Sequence, residues 1–141
     1  MSSQDWAEYG FGLVFSERDK TLDTLIKNVA MEAFATENET ELEAFDVNDV
    51  AEYFEGMEGG VRYYDEEMSG KSFYPAVKGY GSHFRSENML VFWANNSADV
   101  FRAVYTRESV VEEFKEKIGK YLPEDFDYVA HIGYFSCCIC C

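Results

Sequence analysis

Apolar and polar positions along the chain follow two periods. Tyr9, Phe11, Leu13 and Phe15 fall on one face of a period-two run, with Gly10 and Gly12 on the other, which predicts a strand. The Gly10-x-Gly12 pair lacks the further spacing and the lysine of a phosphate loop, so these glycines are read as sites of close backbone approach. Leu22, Leu25, Ile26, Val29, Ala33 and Phe34 then recur at helical spacing. They predict a helix over residues 21–35 whose apolar face covers the sheet. Residues 36–43 alternate acid with small or polar residues and suit an exposed loop, an edge strand or the start of another helix alike.

Val47, Val50, Ala51, Phe54 and Met57 predict a second helix over 47–58, closed by Gly59 and Gly60. Val61–Tyr64 reads as a short strand. Residues 65–88 read as a long loop with Gly70, Pro75, Gly79 and Gly81, in which Phe73, Tyr74, Tyr80 and Phe84 are interleaved with Lys71, Lys78 and Arg85. Such interleaving suits single-stranded nucleic acid, but aromatic packing beneath the loop accords better with the charge described below. Residues 89–94 and 100–105 are strand-like runs around a turn-rich linker, which predicts a β-hairpin. Ser109 and Glu112 match a capping box opening a third helix over 109–122, before Pro123. In a last strand over 126–139, Tyr128, Ala130, Ile132 and Tyr134 share one side, and this strand could pair with the first. The fold class is α+β: one domain, a mainly antiparallel sheet with three helices packed on it.

Charge changes this picture. The formal net charge is −15, yet 47% of the residues are hydrophobic, too many for a disordered acidic tail, so the acidity sits on a folded body. Residues 1–67 hold 18 acids against 4 bases, and residues 68–141 hold 9 against 8. No base lies between Lys27 and Arg62. On the helix over 47–58, Asp46, Asp49, Glu52, Glu55 and Glu58 recur every third residue, a row of like charges about 5–6 Å apart that costs a few tenths of a kcal/mol per pair. Cations at i+4 would reverse that cost, as Glu113/Lys117 and Glu116/Lys120 are placed to do on the third helix. Asp65, Glu66 and Glu67 extend the acidic run, and Tyr53, Tyr63 and Tyr64 lie close enough in sequence to act as desolvated anchors.

A surface of this kind repels DNA, RNA and anionic lipid and attracts proteins with basic clefts. Basic clefts mostly hold nucleic acid, whose duplex form carries about one charge per 1.7 Å. In size and charge the chain resembles the small acidic DNA-mimic inhibitors that phages and mobile elements direct against restriction enzymes and CRISPR effectors. The resemblance covers the acidic half in character and transfers no residue roles. It implies a non-enzymatic inhibitor that occupies the nucleic-acid site of a basic partner, such as a restriction nuclease or CRISPR effector, without itself binding nucleic acid. The alternatives are an acidic globular protein of phage or bacterial origin without mimicry, or a small thiol- or metal-binding protein.

The remaining chemistry is sparse. Cys137, Cys138, Cys140 and Cys141 are the four cysteines, and no cysteine elsewhere can pair with them, so reduced thiols are expected. Four thiolates within five residues fit tetrahedral zinc poorly, and no basic segment precedes them as lipid anchors require. Thiols buried at a strand end are the preferred reading. His83 and His131 lie in no catalytic motif; no catalysis and no cofactor are expected. No apolar run approaches the roughly 20 residues of a membrane span, and the N-terminal residues lack signal-peptide features. A cytoplasmic protein is expected, in a bacterial host cell if it is phage-encoded.

Overall fold

The computed structural model describes residues 7–34, 44–55, 60–77, 79–94 and 107–138. In chain order these form β1 (Ala7–Ser16), α1 (Lys20–Phe34), α2 (Val47–Tyr53), β2 (Val61–Tyr64), β3 (Ser69–Pro75), β4 (Phe84–Arg85), β5 (Met89–Trp93), α3 (Arg107–Ile118), a 3₁₀ turn (Gly119–Tyr121), α4 (Tyr128–His131) and β6 (Ile132–Cys138). The strands make one antiparallel sheet in the order β2-β5-β1-β6-β3-β4. The fold is α+β. β1 sits inside the sheet because it pairs along its N-terminal part with β6 and along its C-terminal part with β5.

Alternation along the strands separates two apolar clusters. Phe11, Leu13, Phe15, Leu90, Phe92 and Ile132 face the helices, where they meet Leu22, Leu25 and Val29 of α1, Val50 of α2 and Val110, Phe114 and Ile118 of α3. Val14, Tyr64, Phe73, Met89, Val91, Phe135 and Cys137 form the opposite cluster and are also buried. Curling of the sheet explains that burial. β2 and β6 are three strands apart, about 14 Å in a flat sheet, yet the Tyr64 and Phe135 rings lie 6.1 Å apart. Buried Lys71 of β3 completes the curl, its ammonium donating to the Asp65 carbonyl beyond β2 at 2.6 Å and to Asn88 Oδ1 at 2.8 Å.

Of the two glycines of β1, Gly12 makes the close backbone approach its pattern suggested, while Gly10 leaves room for a side chain. A Cβ on Gly12 would stand 2.2 Å from the Phe92 carbonyl oxygen, and one on Gly10 would stand 3.1 Å from the Phe135 ring. Elsewhere the structure corrects the pattern. α2 stops at Tyr53, five residues short of 58, where Phe54 turns inward against Phe92 and Tyr121. No base stands in its last turn to offset the carbonyl end of the helix dipole. The stretch 65–88 is not one loop but contains β3 and β4, with Phe73 buried and stacked on Phe84 at 5.3 Å. α3 begins at Arg107, so Ser109 lies within its first turn and does not cap it. The last strand begins at Ile132: Asp127 accepts from the Ala130 N–H and winds Tyr128–His131 into a helical turn, removing Tyr128 and Ala130 from the strand. β5 pairs with β1 and β2, and the expected hairpin strand over 100–105, like residues 36–43, lies outside the described residues.

Candidate functional site

The acidic residues singled out in the sequence do not form one uniform row. Asp46 and Asp49 make a reciprocal capping box: Asp46 Oδ1 accepts from the Asp49 N–H at 3.1 Å, and Asp49 Oδ2 accepts from the Asp46 N–H at 2.9 Å. Two acids of the expected ladder thus secure the start of α2. Glu52 and Glu55 are exposed, and no cation among the described residues pairs with either. Glu55 lies in the turn after α2, and Glu58 falls outside the described residues. Asp65, Glu66 and Glu67 stand beyond the other end of β2, about 13 Å along the strand, in a turn where Asp65 Oδ1 accepts from the Glu67 N–H.

Glu32 is compensated. Lys120 Nζ reaches its Oε1 at 2.8 Å instead of serving Glu116, and this bond holds the Glu32 carboxyl below its usual range. The Tyr53 and Tyr121 phenols also bond to Glu32, so Tyr53, though partly exposed, turns its hydroxyl toward the junction of α1, α2 and the 3₁₀ turn. Burial, reinforced by these bonds, pushes the Tyr121 phenol far up. Glu113 and Lys117 form the expected i,i+4 pair at 3.8 Å.

Of the other two tyrosine anchors, the fold corrects Tyr64. Tyr64 is 0% exposed in the inner cluster, with the Arg62 guanidinium 5.1 Å from its ring centroid, and is no surface anchor. Tyr63 is half-buried against the helix-side cluster; burial raises its phenol, against the opposing hydrogen bond with Asn88. Cys137 is fully buried at the end of β6; Cys140 and Cys141 lie outside the described residues. Among the described residues, no three His, Cys, Asp or Glu side chains gather as metal ligands.

A cleft of about 500 Å³ that sequence reasoning missed opens between the end of β1, the segment 81–87 and α4. Asp19 caps α1 by accepting from the Thr21 N–H at 2.9 Å, and its other oxygen meets His131 Nε2 at 2.5 Å. His131 Nδ1 lies 2.8 Å from the Asp127 carbonyl oxygen. Burial lowers the imidazole pKa, but the bonds to Asp19 and Asp127 more than offset it and raise the net value. With an acceptor on each ring nitrogen the protonated ring is favoured, and no lone pair is left to take a proton from a substrate. The bond from His131 correspondingly lowers Asp19. Ser16 donates to Glu87, which also lies 3.7 Å from Arg18 Nε. Opposed charges within the cleft are therefore satisfied internally. The pairs bridge residues 71 and 112 positions apart, a separation no local motif reveals.

A third grouping lies on the helix side of the sheet, where Tyr9, Tyr74 and Tyr134 stand exposed on adjacent strands. Period-two alternation placed Tyr9 with Phe11, but the sequence could not show that the helices stop short of it.

No protein-family model matches the chain, nor does any curated protein or solved structure. No helix among the described residues is long and apolar enough to cross a membrane.

Proposed function

We propose that the protein is a non-enzymatic acidic inhibitor that occupies the nucleic-acid site of a basic partner, of the restriction-nuclease or CRISPR-effector kind. The observation that carries this reading is the exposed pair Glu52 and Glu55, uncompensated by any described cation, on a chain with no base between Lys27 and Arg62. α3 and Glu32 show how the same chain neutralises acids elsewhere, with Lys115, Lys117 and Lys120. Leaving α2 without such partners costs local stability and preserves a negative field that speeds encounter with a basic cleft. Asp46 and Asp49 add charge to this field while holding the helix in place.

The test measures binding to a panel of basic nucleic-acid enzymes at low and moderate salt, with and without competing DNA. Glu52→Lys combined with Glu55→Lys leaves the capping box intact; it should weaken binding by at least an order of magnitude, as loss of close charge pairs does, and competing DNA should displace the wild-type protein. Undiminished binding by the double variant, or binding indifferent to DNA, refutes the proposal.

A further inference from the structure

The helix layer covers only part of its side of the sheet. Beyond it, Tyr9 of β1, Tyr134 of β6 and Tyr74 of β3 are 72%, 44% and 43% exposed. The register makes them a contiguous group: Tyr134 stands opposite Tyr74, and Tyr9 opposite Ser136. Tyr134 and Tyr74 are held from below or beside. The Tyr134 ring rests edge-on against Phe11 at 5.0 Å, Tyr74 stacks on His83 at 5.7 Å with planes 3° apart, and the Ser72 and Ser136 hydroxyls are joined at 2.6 Å. Together they line an apolar concavity of about 250 Å³. Aromatic rings pre-positioned by strands, with hydroxyl acceptors at their rims, have the composition of an interface core.

Charge decides what sits there. The described cation at the group is Arg85, whose Nη2 already donates to the Tyr74 hydroxyl at 2.9 Å. A nucleic acid brings phosphates that require several cations, and a second copy of the chain brings another net charge of −15. Both are repelled. A basic protein is attracted, and of its two long cations arginine fits better: a planar guanidinium stacks on tyrosine faces and directs its donors to hydroxyl oxygens at the rim. We infer that Tyr9, Tyr74 and Tyr134 form a docking surface for an arginine-bearing segment of a basic protein. This rests on the proposed acidic inhibitor and adds a second contact on the side of the sheet that carries α2.

The two contacts separate by which substitutions remove the arginine preference. Carboxylates such as Glu52 and Glu55 take both cations, with arginine able to bond bidentately, whereas only the tyrosines add ring faces on which a guanidinium stacks. Binding of oligo-arginine and oligo-lysine peptides of equal length is measured by calorimetry on the full chain. The wild type should prefer oligo-arginine by about tenfold. Tyr9→Ser and Tyr134→Ser should each reduce that preference severalfold, and the largely exposed Tyr9 guards against a misfolding explanation. Glu52→Lys with Glu55→Lys should weaken both peptides and leave an arginine preference that still depends on the tyrosines. Absence of an arginine preference, or one that survives the tyrosine substitutions, overturns the docking surface and leaves the acidic face standing. Tyrosine-dependent binding of a single-stranded oligonucleotide overturns it in favour of a base-stacking platform. Glutamate reversals without effect, beside tyrosine substitutions that act, sink the acidic face alone.

Discussion

His131 ties three parts of the chain through one ring: Asp19 before α1, Asp127 before α4, and the Phe15 and Phe126 rings at 5.4 and 4.5 Å. Its raised pKa makes this tie dependent on pH. The contribution is complete below the ordinary histidine value of 6.5 and is lost as pH rises through the raised value; Asp19's contribution is present above 3.8 and is lost as pH falls through its lowered value. Arg18, Glu87 and His83 are the other charged or titratable groups lining the cleft. Urea unfolding should show about 1.5–3 kcal/mol of stability disappearing between near-neutral and alkaline pH. His131→Phe, which keeps the aromatic packing, should flatten that alkaline limb; an unchanged limb would assign the dependence elsewhere.

Within α2, adjacent acids have opposite consequences. Asp46→Ala removes a side-chain cap and should cost about 1 kcal/mol, whereas Glu52→Ala relieves like-charge contact and should be neutral or stabilising by a few tenths of a kcal/mol. Thermal melts of the two variants at low salt give the comparison. Periodicity made most core-facing residues of α1, α3 and β1 legible, since each element's apolar face is written within its own span, although Ala33 and Tyr9 on those faces are exposed. The end of α2 was not legible, because Phe54 is drawn inward by Phe92 and Tyr121, residues distant in sequence. β3 and β4 were hidden for a related reason: Lys71 looks like a solvent-facing strand residue until Asp65 and Asn88 close around it. Of the candidate surface, the acidic composition could be read directly. The division into capping acids, compensated Glu32 and unpartnered Glu52 and Glu55 depends on contacts across elements, as does the burial of Tyr64.

For the molecule as a whole, Lys71 holds the curl that lets one sheet enclose its own inner cluster. Lys71→Met keeps much of the side chain's length but leaves the Asn88 amide oxygen without the Lys71 donor and the Asp65 carbonyl with only the Met68 N–H. Denaturant unfolding should register a loss of about 2–4 kcal/mol, with the helix-side Leu25→Ala giving a comparable loss through a cavity instead. The order of the strands also bears on how the chain reaches this shape. β1 finds its main neighbour in β6, with Leu13 opposite Ile132 and Ala7 opposite Cys138. On a ribosome adding about 5–20 residues per second, β1 waits on the order of ten seconds for β6 to be made, and the interior of the sheet closes only after that.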